Sequence, residues 1–258
     1  MQKTHVVMLL DESSSMAPYR TAVVDTFNQY TEELKGTKRC WISLFKFSGM
    51  YSGGSFPSRS MERRIGHQTA SNCLTKVFEN RKLKETYPMT TPQYNPNGWT
   101  PLYDAIGSLI ERTKSRLPKD AKVLFVVHTD GQENTSKRHN QETIRELIRK
   151  CEEKRGWTFV YLGEGAEAWN AGYDFGIDNV ANFSSSMRGA SMSKLATATS
   201  CFAASASVGG SSGATKTFYD DAKLTADDID VGDESTYTSI VTNRDKTASD
   251  ADVKTTGD

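Results

Sequence analysis

The chain has 258 residues, 36% of them hydrophobic and 25% charged, with 32 basic and 32 acidic side chains. That length holds one large domain or two small ones, with a core that is sufficient but not rich. A net charge of zero and the lack of a basic block argue against a nucleic-acid binder, and no apolar stretch approaches the roughly 20 residues of a membrane span.

The zero balance hides an asymmetry. From Ser211 onward acids exceed bases by about six, so the rest of the chain is positive by the same amount. Cys40, Cys73, Cys151 and Cys201 are too far apart to suggest a zinc knuckle or a redox pair. They read as free thiols in a reducing compartment. Met1-Gln2-Lys3-Thr4-His5 runs straight into a strand and does not fit a signal peptide. The expected location is cytoplasmic.

Val6-Val7-Met8-Leu9-Leu10 is an apolar run that ends in Asp11. Such runs read as buried parallel strands. Asp11 then stands at a strand's carboxyl end, where open α/β sheets bind ligands. Ser13 and Ser15 follow at every second position, so three oxygens converge in a way that suits a hard cation such as Mg²⁺. The plainer alternative is that Ser13 or Ser15 only caps the next helix.

That helix is expected over Ala17–Gly36, with Val23, Phe27, Tyr30 and Leu34 facing the sheet. Cys40–Ser48 is rich in strand formers. Periodicity is lost over 49–71, which reads as a long surface loop or a short insertion. Leu74–Met89 alternates weakly, with Asn80-Arg81 as a candidate hairpin turn. A proline-rich linker leads to Gly98-Trp99-Thr100-Pro101-Leu102. Thr100 suits an N-cap and Pro101 the first helical position, with the helix ending near Leu117.

Lys122–Val127 repeats the pattern of the first strand and leads through His128 and Thr129 to Asp130. A charged amphipathic helix is expected over Gln141–Arg155, a strand over Trp157–Leu162, a helix over Glu164–Phe175, a short strand over Val180–Phe183, and a serine- and alanine-rich helix from Met187 to about Ala206. The domain is therefore placed at 1–207. Residues 208–258 open with a glycine–serine linker and continue as an acidic tail, disordered or loosely docked, with a short helix near Thr225–Ile229. Strands alternating with helices predict an α/β fold: three layers, doubly wound, a mostly parallel central sheet with helices on both faces.

Three segments point oxygens at one sheet edge: Asp11-x-Ser13-x-Ser15, Thr100, and Asp130. Together they resemble the von Willebrand factor A domain, whose metal-ion-dependent adhesion site is built from D-x-S-x-S, a threonine and an aspartate. The likeness runs from about Thr4 to Phe183 and on through the helix ending near Ala206. It is closest to the intracellular bacterial and phage branch, which carries G-x-T-P-L-x-D-A-I. Residues 49–71 and 211–258 lie outside the pattern.

The resemblance implies a site for Mg²⁺ or Mn²⁺. Ser13, Ser15 and Thr100 would bind directly, with Asp11 and Asp130 often acting through water. Neutral direct ligands leave the ion most of its charge, and one open position can take an Asp or Glu of a partner protein. The implied function is a metal-dependent protein-binding module, not an enzyme, acting on neither nucleic acid nor membrane. Gln132, Glu133 and Asn134 follow Asp130 and are expected to shape the partner-binding rim. Glu12 and Ser14 should point away from the ion, His128 belongs to the core, and Asp104 favours its helix N-terminus electrostatically.

The competing reading is a Mg²⁺-dependent phosphotransferase of the haloacid dehalogenase layout. It needs a second acid two residues after the first, where this chain has Ser13. A serine hydrolase lacks its G-x-S-x-G turn. The tail leaves two readings open: a solvated, solubilising segment, or one whose carboxylates occupy the open metal position, within a chain or between chains in self-association.

Overall fold

The computed structural model describes residues 3–49, 73–130, 133–163, 167–182, 188–205 and 218–219. Most of the expected insertion and tail, including the helix near Thr225–Ile229, lies outside the described residues.

Six strands form one sheet: β1 (Thr4–Asp11), β2 (Cys40–Phe47), β3 (Leu74–Lys82), β4 (Lys122–His128), β5 (Thr158–Gly163) and β6 (Asn179–Asn182). Their order is β3-β2-β1-β4-β5-β6. All neighbours are parallel except the β2–β3 pair. The helices are α1 (Arg20–Glu33), α2 (Leu102–Arg116), α3 (Gln141–Arg155), α4 (Glu167–Asp174) and α5 (Arg188–Ala204).

Alternation along β1 builds the layers. Val6, Met8 and Leu10 join the core that holds Val23, Phe27 and Tyr30 of α1 and Leu195 and Ala198 of α5. Val7 and Leu9 face the opposite core, with Ile106 and Ile110 of α2 and Ile144 and Ile148 of α3. A strand covered on both faces has no polar side to spare, hence its unbroken apolar run. Each large side chain buried this way contributes about 2 kcal/mol. Tyr30 also bridges the two helices of its layer, its hydroxyl 3.0 Å from that of Thr199.

The strand order matters for function. From β1 the sheet grows one way through β2 and the other way through β4, so the winding reverses between β1 and β4. A crevice opens at the carboxyl ends of two strands at such a reversal. Asp11 ends β1, and Asp130 follows β4 by two residues.

Several local expectations are corrected. The helix expected from Ala17 starts as a 3₁₀ turn over Ser14–Tyr19, and α1 begins at Arg20. Pro18 lies inside that turn, where its missing N–H and fixed φ oppose an α-helix interior. Asn80-Arg81 is no hairpin turn. β3 continues through it, antiparallel to β2, with register shifts. Asn80 takes a left-handed φ of 52° and donates its N–H to Ser43 Oγ at 2.9 Å, so a strand irregularity rather than a reversal uses its tolerance. Helix α2 is preceded by Pro101 in the capping position, with Thr100 outside it. Within the stretch read as a tail, Phe218 and Tyr219 are buried in the α1–α5 core, Phe218 packing edge-on to Phe202 at 6.0 Å.

Candidate metal centre

Asp11 is fully buried. Its Oδ1 accepts the Ser13 N–H at 2.7 Å, and its Oδ2 accepts the Thr129 hydroxyl at 2.6 Å. Burial pushes its carboxyl up to about 6; the hydrogen bonds from Thr129 and Ser13 oppose that rise, and the charge of Asp130 adds to it. The charge of Asp130 thus reaches Asp11 across the reversal. Tyr94, buried below them, donates its hydroxyl to the Asp11 carbonyl.

Ser13 and Ser15 place their hydroxyl oxygens 3.0 Å apart. Ser13 occupies the capping position of the 3₁₀ turn, yet its side chain makes no capping bond. The capping alternative therefore does not use up the Ser13 hydroxyl. Ser13 is buried and Ser15 is exposed, so the pair runs from the core to the surface.

Thr100 is brought alongside by its loop. The Ser14 N–H donates to Gly98 O at 3.1 Å, and the Gly98 N–H donates to Ser14 Oγ at 2.9 Å. The Asn97 N–H donates to Glu12 O at 2.8 Å. Gly98 sits at φ +88°, a conformation other residues adopt at a cost. Glu12 adds a side-chain staple: its Oε1 accepts the Lys46 ammonium and the Asn95 N–H, each at 2.6 Å. Glu12 and Ser14 thus face away from the hydroxyl pair and lock the Thr100 loop against it.

Thr100 is buried, and α2 carries no side-chain cap from its preceding residue. That service comes from the loop after β4. The Tyr103 N–H donates to Glu133 Oε2 and the Asp104 N–H to Ser136 Oγ, both at 3.0 Å. Asn134 Oδ1 accepts the Thr100 N–H at 2.8 Å, and the Asn134 N–H donates to Thr100 O at 3.1 Å. Glu133 and Asn134 shape the rim by holding α2 and Thr100; Gln132 lies outside the described residues. Asp104 does more than favour a helix end. Its carboxylate accepts the N–H groups of Lys137, Arg138 and His139 at 2.8–2.9 Å.

Asp130 differs from these acids. Its Oδ1 is buried and has no hydrogen-bond partner among the described residues. A buried carboxylate oxygen left alone is costly unless a cation or water meets it. Among the described residues no three His, Cys, Asp or Glu side chains gather as a metal cluster. The carboxylates of Asp11 and Asp130 and the hydroxyls of Ser13, Ser15 and Thr100 are all hard oxygens, a donor type that suits a hard cation rather than a softer one. His128 is buried in the sheet.

Sequence reading missed Thr129, Tyr94, Asn95 and Lys46 as supports of this edge. Thr129 stands beside Asp130, but its bond to Asp11 spans 118 residues, and no local spacing reports such a contact. The cysteines are free thiols, and among the described residues no helix is long and apolar enough to cross a membrane.

No family profile and no curated protein matches the chain. Solved structures are similar in fold. One is the pilus adhesin SpaC from Lactobacillus rhamnosus GG in its open conformation, at TM-score 0.56 and 11% identity, over 78% of this chain and 30% of that one. Others are the ArnB paralog VWA2 from Sulfolobus acidocaldarius, at TM-score 0.49 and 17% identity over 75% of this chain and 45% of that one, and manganese-loaded TRAP protein from Plasmodium vivax, at 0.42 and 15% over 67% and 62%. The chain spans less than two thirds of each. The three-layer, mostly parallel α/β fold expected from the sequence is the one present.

Proposed function

We propose that this chain is a metal-dependent protein-binding module of the von Willebrand A type, not an enzyme. Asp11, Ser13, Ser15, Thr100 and Asp130 would hold one Mg²⁺ or Mn²⁺. The bound ion would supply a concentrated positive charge with an open coordination position, which an Asp or Glu of a partner protein completes. The observation that carries this reading is Asp130 Oδ1, buried without a partner among the described residues at the same strand-end edge as Asp11.

The residues around the ion have positioning roles. Thr129 and the Ser13 N–H orient the Asp11 carboxylate. Asn134 fixes Thr100, and the Glu12–Lys46 pair fixes the loop before it. A phosphotransferase of the haloacid dehalogenase layout would need a second acid two residues after Asp11, where Ser13 stands. SpaC, which shares the fold, is itself an adhesin. The four free thiols favour a reducing, cytoplasmic setting for this module. The partner is a protein, with nucleic acid and membrane outside the reading, and the acidic tail of a second copy is a candidate competitor for the open position.

Calorimetric titration with Mg²⁺ tests the reading. Wild type binds one ion per chain, and the Asp11→Ala, Asp130→Ala double variant binds none. Equal binding by both would refute the assignment. Capture of partners from lysate in Mg²⁺ and in chelator then separates metal-dependent ligands from the rest.

A further inference from the structure

The stretch from Thr86 to Gly98 reads in sequence as a linker, yet it is bonded to other elements along its length. Asn28 of α1 grips Met89 twice: its Nδ2 donates to Met89 O at 2.9 Å, and its Oδ1 accepts the Met89 N–H at 2.7 Å. Arg20, half-buried at the start of α1, donates from Nε to Tyr94 O at 2.8 Å and from Nη2 to Thr91 O at 2.9 Å. Between these grips a capping box closes a 3₁₀ turn over Thr91–Gln93. Lys46 of β2 donates to Gln93 O. The stretch is a strap fastened across α1.

Its inner side meets the turn that carries Asp11 and Ser13. Tyr94 is fully buried and donates its hydroxyl to Asp11 O. The same peptide plane is held at its other end, where the Glu12 N–H donates to Phe47 O at 2.8 Å. The next peptide's carbonyl, Glu12 O, accepts the Asn97 N–H at 2.8 Å. Each peptide is planar, so only the two torsions of Glu12 relate these planes. With the planes held by Tyr94, Phe47 and Asn97, those torsions are fixed, and with them the spacing of Asp11 and Ser13.

We propose that Tyr94 is a positioning residue of the metal centre, and that the strap, through it, holds the centre tight enough to prefer Mg²⁺ over the larger Ca²⁺. This rests on the metal-dependent reading above. Mg²⁺ demands near-ideal octahedral geometry, whereas Ca²⁺ accepts a looser and more variable shell. A frame that loses one clamp therefore loses Mg²⁺ affinity first. Tyr30 supplies the internal comparison. It is equally buried in the same core, and its hydroxyl is also bonded, but to Thr199 of α5 rather than to the turn.

Calorimetry on the full chain tests this with Mg²⁺ and with Ca²⁺ on wild type, Tyr94→Phe, Arg20→Ala and Tyr30→Phe, with urea unfolding in chelator alongside. Tyr94→Phe keeps the ring and should lower Mg²⁺ affinity by about tenfold, the scale of losing an outer support of a metal ligand. Its Ca²⁺ affinity should fall less, so the preference for Mg²⁺ narrows. Arg20→Ala, one bond further from the turn, should shift both in the same direction, with Mg²⁺ affinity falling by about threefold. Tyr30→Phe should lose stability in chelator and keep both affinities. Unchanged Mg²⁺ affinity in Tyr94→Phe, a parallel loss for both ions, or the same loss in Tyr30→Phe would each overturn the positioning role and leave the metal centre standing. A wild type that binds no Mg²⁺ would instead remove the centre itself, and the role of Tyr94 with it.

Discussion

Two pairs of acids flank Thr100, and one member of the second pair, Asp130, stands apart from the other three. Glu133 and Asp104 hold the loop after β4. Glu133 Oε1 accepts two N–H groups at 2.7 Å, while its Oε2 accepts the Tyr103 N–H and the Ser136 hydroxyl. Asp104 accepts three N–H groups. These carboxylates are spent on structure. Asp11 and Asp130 stand at the sheet edge, and Asp130 keeps a buried oxygen with nothing to accept. Burial of an acid therefore does not locate the site; unused accepting capacity inside a fixed frame does.

The comparison breaks most directly at Asp104. Asp104→Ala leaves three N–H groups without their charged acceptor and should cost about 4.5 kcal/mol of unfolding free energy, at roughly 1.5 kcal/mol for each bond to a charged group. Urea unfolding in chelator measures it. Asp130→Ala under the same conditions should be neutral or stabilising by up to about 1 kcal/mol, since the buried oxygen it removes has no hydrogen-bond partner among the described residues. Equal losses would erase the distinction between the two pairs.

The Glu12–Lys46 pair is the next largest effect. Its charged atoms are 2.6 Å apart with side chains about one-tenth exposed. Glu12→Gln leaves the ammonium facing a weaker acceptor and should cost about 3 kcal/mol. Because the pair steadies the Thr100 loop, Mg²⁺ affinity should fall as well, by about tenfold. A stability loss with unchanged Mg²⁺ affinity would show that the loop holds Thr100 without the staple.

Metal addition sharpens the contrast from the other side. At Mg²⁺ a hundredfold above its dissociation constant, wild type should gain about 2.7 kcal/mol. Asp104→Asn should still show a gain if the loop refolds around it, and Asp130→Ala should show none. Thermal scans with and without chelator read both. A full Mg²⁺ gain in Asp130→Ala would mean that its orphaned oxygen is not a metal contact.

Periodicity carried the layers because β1 and β4 are buried on both faces and their apolar runs admit few other readings. Asp11 and Asp130 were legible for the same reason: each follows such a run. The β1–β4 reversal was not legible, since strand order depends on packing between distant segments. Asn80 misled because a left-handed asparagine serves a turn and a strand irregularity equally well. Thr100 looked like a cap because Thr-Pro is a helix-start signal, yet Glu133 and Ser136, more than 30 residues away, supply the acceptors. Two-residue alternation separates Glu12 and Ser14 from Ser13 and Ser15, but their partners Lys46 and Gly98 come from other segments.

The smallest expected effect concerns a second orphan beside the same edge. Tyr161 on β5 is fully buried, and its hydroxyl has no hydrogen-bond partner among the described residues. Burial raises its pKa, and the charges of Asp11 and Asp130 raise it further. Its ring packs at 5.9 Å from Phe175, so Tyr161→Phe keeps the apolar contacts and removes only the oxygen. A neutral group that gave up water and gained nothing is a standing cost, and losing it should stabilise the metal-free chain by about 1 kcal/mol. Mg²⁺ affinity should stay within about twofold, because neither Ser13, Ser15 nor Thr100 is bonded to this hydroxyl. A loss of stability in Tyr161→Phe would show that a water satisfies the hydroxyl. The same water could then satisfy Asp130 Oδ1, and the unused capacity that singles out Asp130 would no longer require an ion.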